Sequence, residues 1–249
     1  MIEVQNFFKK YEKNSSFAVE NVSFSAKKGI TCLLGLNGAG KSTIIKALCS
    51  IHYATSGKIL ISDKNGNFFD VKNDLKKINS LIGYIPEVPN LPEKITVSEL
   101  LYFCAQLHNL SRKEFEQNFQ KVVSDCKIEE ILNKKIGILS KGFKQRVSFA
   151  QALIHDPENL IFDESVSGLD PAQIIQFRNL IKTLSETKTV FISTHLMQEV
   201  ESLADQILIL HQGKLIASGT EESINQKTNS KNIEESFIKL TVNPGKYEK

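Results

Sequence analysis

The chain has 249 residues, 41% of them hydrophobic and 24% charged, which allows one large domain or two small ones around a full core. Its net charge of +3, from 31 basic and 28 acidic residues, is too weak to argue for a nucleic acid or a membrane surface as a partner. No apolar stretch approaches the ~18 residues of a membrane-spanning helix, no secretory leader is recognisable, and the four cysteines include no C-x-x-C pair. These features predict a cytoplasmic protein with reduced thiols.

Hydrophobic patterns in the first third of the chain predict strands and one helix. Residues 2–9 and 17–25 are predicted as strands, the second from its alternation of apolar and polar residues. The run I-T-C-L-L that follows has the continuous apolar character of a buried parallel strand. We expect a helix from Ser42 through Cys49 and a further strand at 57–62.

The rest of the chain alternates helices with strands. A helical pattern extends from about 96 to 132, and another helix is predicted to open at Ser140 and to continue to Leu153. Three short apolar runs, N-L-I-F, T-V-F-I-S and Q-I-L-I-L, predict strands, with helical patterns at 171–186 and 196–203 between them. This alternation indicates an α/β fold with a parallel sheet.

The tail from Glu221 contains a final amphipathic segment. Its apolar residues recur at helical spacing: Ile233, Phe237, Ile238 and Leu240. We expect this segment to pack on the core rather than to take part in chemistry.

A glycine-rich stretch after the I-T-C-L-L strand, G-L-N-G-A-G-K-S, matches G-x-x-x-x-G-K-[ST] without a gap. Three glycines let successive backbone N–H groups point at one phosphate chain: Gly35, Gly38 and Gly40. Lys41 can reach the β- and γ-phosphates, and Ser42 can bind Mg²⁺. The other positions assigned to this nucleotide site are Asn37, Ala39 and Thr43.

Two carboxylates end the apolar run N-L-I-F-D-E. Acidic residues at the carboxyl end of a parallel strand lie where open α/β sheets bind ligands. Asp163 is placed to hold Mg²⁺ or its water shell, and Glu164 to orient or deprotonate an attacking water. An ordinary acidic strand end is the alternative, and the phosphate loop upstream favours the catalytic interpretation.

One of the five histidines follows a predicted strand, in T-V-F-I-S-T-H. His195 shares this position with Asp163 and Glu164, so it could donate a hydrogen bond to a γ-phosphate or hold the group that positions water. The other four histidines are predicted to be structural. No pair among the five has the spacing of metal ligands.

The segment L-S-K-G-F-K-Q-R predicts a second anion site. Ser140 and Gly142 lie where a turn opens a helix, and such a start presents free N–H groups, a hydroxyl and the positive helix end.

Five motifs thus follow one another in the chain: G-L-N-G-A-G-K-S-T, L-S-K-G-F-K-Q-R, L-I-F-D-E, S-G-L-D and S-T-H. Their order and spacing resemble the ATP-binding subunit of ATP-binding-cassette (ABC) transporters across nearly the whole chain. Many families share the phosphate loop, whereas L-S-x-G shortly before the D-E strand is close to diagnostic. The resemblance implies ATP and Mg²⁺ as cofactors and ATP hydrolysis as the activity.

The resemblance also assigns roles to individual residues. In that family two cassettes pack head to tail, and the L-S-x-G helix start of one caps the ATP held by the other. Ser140 and Gly142 would therefore contact the γ-phosphate bound by a second ABC subunit, in a homodimer or a heterodimer. Asp170 resembles the residue that couples the two sites, His195 the switch histidine, and Tyr11 the aromatic residue that stacks on adenine.

The implied architecture is that of an α/β P-loop NTPase with a RecA-like parallel sheet core, an N-terminal antiparallel β subdomain and an inserted α-helical subdomain. A single ABC ATPase domain would span 1–220. Within it, 1–86 and 151–220 form the catalytic core with the antiparallel β subdomain, and 87–150 the helical subdomain with the signature. Residues 221–249 are expected to form a short C-terminal helical extension.

The sequence departs from the family pattern in ways that leave the catalytic groups in place. Glu87 in G-Y-I-P-E stands where many members have Gln; its carboxylate can still reach Mg²⁺. This variation and the tail N-I-E-E-S-F-I-K-L resemble the ABC-2 exporter branch. Ser165-Val166 replaces the common Pro-Thr. We therefore expect an active ATPase that powers export.

The expected partners are separate transmembrane permease subunits, with this chain peripheral on the inner face of the cell membrane and no nucleic acid bound. Two other classes of protein fit the sequence less well. A soluble cassette ATPase acting on DNA or ribosomes usually carries long coiled coils or two cassettes per chain, and neither pattern is visible. A P-loop kinase or GTPase would not explain L-S-K-G, and the only candidate guanine motif, N-K-K-I at 133–136, lacks the required Asp.

Overall fold

The computed structural model describes residues 1–12, 16–164 and 171–242. The strands within these residues are β1 Ile2–Lys9, β2 Val19–Ala26, β3 Gly29–Leu34, β4 Ser56–Ser62, β5 Phe68–Asp70, β6 Ile82–Ile85, β7 Asn159–Asp163, β8 Thr189–Thr194, β9 Gln206–His211 and β10 Lys214–Gly219. The α-helices are α1 Lys41–Leu48, α2 Leu75–Leu81, α3 Val97–Leu107, α4 Arg112–Cys126, α5 Lys141–Leu153, α6 Pro171–Ser185, α7 Met197–Leu203, α8 Glu221–Thr228 and α9 Ile233–Val242. Two short 3₁₀ helices lie at Glu129–Ile131 and Ile136–Ile138.

The central sheet has six strands in the order β10-β9-β3-β8-β7-β6. Neighbouring strands from β9 to β6 are parallel, and β10 pairs antiparallel with β9 at one edge. Because parallel strands end on the same side of a sheet, β3, β8, β7 and β6 present their carboxyl ends along one edge, where ligands bind in such folds. The predicted α/β class with a parallel sheet core is confirmed.

A second sheet of four antiparallel strands, in the order β2-β1-β4-β5, contains the N-terminal strands. It packs on one face of the central sheet, where the rings of Phe24 and Phe191 stack with centroids 5.4 Å apart. Helix α1 contributes Ile44 and Ile45 to the same apolar cluster. This arrangement confirms the predicted N-terminal antiparallel β subdomain and fixes α1, which begins at the phosphate loop, against both sheets.

The helical pattern predicted at about 96–132 corresponds to two α-helices, α3 and α4, followed by the first 3₁₀ helix. Each α-helix starts with a capping box, Thr96 with Glu99 and Ser111 with Glu114, in which side chain and backbone N–H satisfy each other. The capping box at Ser111 begins a second helix, and this divides the predicted helical pattern in two. The predicted limits of the helical subdomain, 87–150, stay a prediction; α5 continues to Leu153.

The C-terminal helix α9 packs on the core, as expected of the amphipathic tail. Ile233, Phe237 and Leu240 are buried in the cluster that also contains Val200 of α7. The expectation for Ile238 is wrong, because its side chain is 54% exposed on the outer face of the helix.

All four cysteines are free thiols in the structure. Burial raises the pKa of the Cys104 thiol to about 11, so it stays protonated and unreactive at neutral pH. In the described part of the chain, each helix is too short or too polar to cross a membrane.

Strand β7, which leads into the two site carboxylates, is buried along its whole length. Phe162 is 0% exposed, with ring centroids 5.3 Å from Phe149 of α5 and 6.2 Å from Phe177 of α6. Replacing Phe162 by Ala should lower the free energy of unfolding by about 3–5 kcal/mol because the cavity cannot close fully. Urea denaturation measures this loss. Phe68→Ala is the control: Phe68 is 44% exposed, so an equal loss there would contradict the packing argument.

Candidate nucleotide-binding site

The glycine-rich loop connects β3 to α1 at the carboxyl edge of the central sheet. Gly40, the N-cap of α1, has a φ of +105°, and a Cβ there would lie 2.8 Å from the carbonyl oxygen of Ala18. A Cβ on Gly35 would lie 2.6 Å from the carbonyl oxygen of Leu210. Only glycine fits these positions. Since Gly40 has no side chain, nothing from the N-cap covers the first N–H groups of α1, which fits a phosphate chain.

Lys41 is held inside this loop although its side chain is charged. It is 4% exposed, and its Nζ donates to the carbonyl oxygens of Gly35 at 2.8 Å and Leu36 at 3.2 Å. The same Nζ lies 3.0 Å from Oε1 of Glu164. The ammonium group of Lys41 thus lies against the carboxylate of Glu164, the residue that follows β7.

Asp163 is the last residue of β7 and Glu164 follows it directly, so both lie at the carboxyl end of this strand, as the sequence predicted. The Ser193 hydroxyl donates to Oδ1 of Asp163 at 2.7 Å, and the Glu164 N–H donates to the Ser193 carbonyl oxygen at 3.1 Å. Burial raises the pKa of Asp163, and the neighbouring Glu164 charge adds to this despite the Ser193 hydrogen bond. A bound divalent cation would favour the ionised form of Asp163.

Glu164 has a φ of +46°, a conformation that non-glycine residues rarely adopt. Such strain persists where surrounding contacts enforce it, and it is concentrated at functional sites. Here it turns the Glu164 side chain toward both Lys41 and His195. The imidazole Nδ1 of His195 lies 2.8 Å from Oε2 of Glu164, with the proton assigned to Nδ1 because the carboxylate accepts. Glu164 therefore joins the lysine of the loop to the histidine after β8.

Tyr11 lies beside the start of α1, although the sequence separates it from the loop. Its hydroxyl is 3.1 Å from Oγ1 of Thr43, and its ring meets His52 edge-on with centroids 5.7 Å apart. The side chain is 61% exposed, so a flat ligand has access to it. Stacking on adenine stays a prediction.

The other residues assigned to the phosphate loop differ in solvent exposure. Ala39 is buried, whereas three lie open to solvent: Asn37, Gly38 and Ser42. Glu87 is exposed two residues beyond β6, which is the neighbour of β7 in the sheet. Ser42, Glu87 and Asp163 thus belong to the same edge of the sheet and offer oxygen atoms, the donors that Mg²⁺ requires. The described residues contain no ready cluster of three His, Cys, Asp or Glu side chains for a metal, and magnesium binding stays a prediction.

The second predicted anion site lies at the start of α5, which is distant in sequence from the residues just described. Ser140 is the exposed N-cap, and its Oγ accepts from the Phe143 N–H at 3.3 Å. Gly142 is buried against α6, where a Cβ would lie 2.7 Å from the Gln173 amide. The Asp170 assignment and the Ser165-Val166 departure lie outside the described residues.

The sequence did not single out Ser193, which nevertheless contacts both carboxylate residues. A polar residue inside the apolar run T-V-F-I-S was the available signal. This polar residue could be assigned to the site only from the strand pairing, because β8 pairs with β7 and Ser193 is the direct partner of Asp163 in the register.

A glycine-rich loop between a parallel strand and a helix, with its lysine paired to a carboxylate at the end of a nearby strand, defines a P-loop nucleoside-triphosphate hydrolase. The family model for the ABC transporter matches residues 19–167. The chain belongs to the ABC transporter family, and it is an ATP-binding, ATP-hydrolysing subunit of this family, as predicted.

Similar proteins support this conclusion along most of the chain. The ABC transporter ATP-binding protein NatA of Bacillus subtilis is 32% identical over 228 residues, covering 90% of this chain and 91% of NatA. The bacitracin transport ATP-binding protein BcrA of Bacillus licheniformis is 37% identical, covering 87% of this chain and 68% of BcrA. The ABC transporter ced-7 of Caenorhabditis elegans is 34% identical, but the match covers only 13% of that much longer protein.

A solved structure of an ATP-binding subunit of an ABC transporter superposes with a TM-score of 0.87 at 29% identity, covering 96% of this chain and 99% of the other. A dimeric bacterial ABC transporter cassette shares the fold with a TM-score of 0.77 at 24% identity. The relatives named above are transport proteins, and none of them supports the DNA- or ribosome-directed alternative.

Proposed function

We propose that this chain powers export through separate membrane subunits by closing head to tail on a second cassette with ATP between them. The observation that carries the hydrolytic part is the position of Glu164, 3.0 Å from Lys41 Nζ and 2.8 Å from His195 Nδ1 at the phosphate loop. The direction of transport is inferred from Glu87 and the C-terminal tail. A relative named as a Nod factor export ATP-binding protein, 32% identical over 90% of this chain, supports it.

Each site residue then has a role in hydrolysis. Lys41 and the loop N–H groups hold the β- and γ-phosphates, and Glu164 orients and deprotonates the attacking water. His195 holds the Glu164 carboxylate and reaches the γ-phosphate. Magnesium, held by Ser42, Asp163 and Glu87, would supply charge neutralisation on the phosphate oxygens.

The exposed start of α5 supplies the contact to a second cassette. Ser140 is open to solvent, and its helix presents N–H groups suited to an anion. A γ-phosphate contacted by both chains favours the closed pair, and its loss on hydrolysis removes that preference. ATP binding thereby closes the pair of cassettes, and ATP hydrolysis allows the pair to open.

A groove between α2, α3 and α5 is where we place the permease contact. It has a volume of about 920 Å³ and is lined by Lys76 and Lys77 together with Ile51 and Leu107, which are 58% and 64% exposed. Among the described residues that line it there is no carboxylate. An amphipathic cytoplasmic segment of the permease with acidic residues complements this lining in polarity and in charge.

Sedimentation tests the transporter assignment. Wild-type chain should sediment with membranes that contain the permease, and the double variant Lys76→Glu/Lys77→Glu should lose at least about tenfold in bound fraction, because like charges now face each other. The double variant Lys113→Glu/Lys121→Glu, with both substitutions at exposed positions of α4 outside the groove lining, is the charge-matched control. Sedimentation with ribosomes instead, or unchanged membrane binding of the Lys76→Glu/Lys77→Glu variant, would contradict the assignment.

A further inference from the structure

The hydroxyl group of Tyr11 contacts two side chains from different parts of the chain. It lies 3.1 Å from Oγ1 of Thr43 and 3.4 Å from Nε2 of His52, so it is placed between the start of α1 and the segment that follows this helix. A phenolic hydroxyl has one proton to donate and lone pairs that accept, so it can serve both partners at once. Stacking on a base uses the aromatic ring and not the hydroxyl, so the predicted role of Tyr11 leaves these contacts unexplained.

His52 reaches Tyr11 because the chain folds back after α1. The N–H groups of Ile51 and His52 donate to the carbonyl oxygen of Lys46, in the last turn of this helix, at 2.9 and 3.4 Å. The ring planes of His52 and Tyr11 are nearly perpendicular, at 84°, with centroids 5.7 Å apart, an arrangement that aromatic pairs favour. His52 therefore adds a ring contact to its polar contact and restricts the Tyr11 side chain from a second direction.

The two residues before Tyr11 are bound to the same segment after α1. The Nζ of Lys9 donates to the carbonyl oxygen of Tyr53 at 2.8 Å, and the N–H of Lys10 donates to Oγ1 of Thr55 at 2.9 Å. The Lys9 ammonium also lies over the Tyr11 ring, 5.3 Å from its centroid, which is within the range of a cation–π contact. The tyrosine is therefore held in place even though 61% of its side chain is exposed.

We propose that Thr43 and His52 are positioning residues for the base of ATP: they hold the Tyr11 hydroxyl and thereby fix the ring beside the phosphate loop. This inference rests on the proposed ATP site, in which Tyr11 stacks on adenine. Thr43 is the third residue of α1, two positions after Lys41, and is 9% exposed, so its hydroxyl keeps a fixed place relative to the loop that holds the phosphates. A ring that is already oriented loses less conformational entropy when a base stacks on it, and the base is bound more tightly.

Tyr11→Phe keeps the ring and removes only the hydroxyl. Its Kd for Mg·ATP, measured by equilibrium dialysis, should rise about threefold to tenfold, the effect of one lost hydrogen bond. Inorganic tripolyphosphate has no base, so its affinity, measured by competition with labelled ATP, should not change. Tyr53→Phe removes the hydroxyl of a neighbouring tyrosine that is 40% exposed; it is the matched control and should bind both ligands like wild type. An ATP affinity of Tyr11→Phe equal to that of wild type would overturn the proposal.

Thr43→Val and His52→Phe test the two partners of the hydroxyl. Each should weaken the binding of ATP and leave that of tripolyphosphate unchanged, whereas Thr43→Ser keeps a hydroxyl and should bind ATP like wild type. If both residues act through Tyr11, adding either substitution to Tyr11→Phe should cost little further affinity. Fully additive losses would contradict the proposal. Equal losses for the two ligands would also contradict it, because general damage to the loop weakens both.

Tyr11→Ala distinguishes failure of this inference from failure of the proposed adenine contact. Loss of the whole ring should raise the Kd for ATP about tenfold to a hundredfold, the range for loss of a base-stacking aromatic side chain, again with tripolyphosphate unchanged. Normal ATP binding by Tyr11→Ala would refute stacking on adenine, and the inference with it. If Tyr11→Ala weakens ATP binding and Tyr11→Phe does not, adenine stacks on the ring and the hydroxyl contacts have no positioning role.

Discussion

Glu164→Gln is expected to bind ATP and to lose turnover by about a hundredfold to ten-thousandfold, the range for removal of a general base. The amide has the same shape and can still accept from His195, but it cannot take a proton from water. ATP binding should persist, because Lys41 loses a competing partner at 3.0 Å and keeps its place in the loop. Phosphate release measures turnover, and equilibrium dialysis with labelled ATP measures binding.

The matched control lies at the other end of the same strand. Glu158 immediately precedes β7, whereas Glu164 immediately follows it, so Glu158→Gln changes the charge equally without touching the loop. It should hydrolyse ATP at the wild-type rate. Near-normal turnover by Glu164→Gln would remove the general base from the mechanism, and loss of ATP binding would show that Glu164 serves mainly to place Lys41.

The members of the candidate site could be named from the sequence because each lies in a short motif whose backbone conformation is locally determined. The glycines of the phosphate loop require φ values near +81° and +105° at positions 38 and 40, which few other residues tolerate. Asp163 and Glu164 follow an uninterrupted apolar run, and the end of a buried parallel strand has a known location in an open sheet. These signals need no knowledge of distant contacts.

Elements without a strong local sequence pattern were not predicted. Strand β6 is only four residues long, I-G-Y-I, and contains a glycine that β-propensity disfavours. The reason for Gly83 is tertiary: a Cβ there would collide with the carbonyl oxygen of Ala152 on α5. The short strand β5 and helix α2 were likewise not predicted, nor was β10 at the sheet edge.

The partnerships within the site depend on strand order, which the sequence does not encode locally. Thr194 and Leu34 are partners in the register of β8 and β3, although they are 160 positions apart in the sequence, and this pairing brings the histidine turn to the phosphate loop. The distances among Lys41, Glu164 and His195 follow from it. Sequence spacing could therefore name the members of the site and could not show that Glu164 joins the other two.

Ser140→Arg is expected to abolish the ATP-driven pairing of cassettes. In the Glu164→Gln background, Mg·ATP should shift the chain from monomer to dimer, measured by light scattering after size-exclusion chromatography. Adding Ser140→Arg should leave a monomer with ATP still bound, because the long side chain obstructs the exposed helix start that faces the partner's phosphate. A monomer in the variant that retains Ser140, with ATP bound, would mean that the opposing surface belongs to a different subunit, as in a heterodimer, or that the membrane partner is needed to bring two cassettes together.

Ser111→Arg is the control that separates pairing from helix stability. Ser111 and Ser140 are both exposed serine N-caps, each accepting from the N–H three residues on at 3.3 Å. Replacing either one removes a cap and costs about 1 kcal/mol of stability. Only Ser140 lies at the predicted anion site, so Ser111→Arg should still form the dimer. A dimer that survives Ser140→Arg would refute the head-to-tail arrangement, whereas loss of the dimer in both variants would assign the effect to the caps.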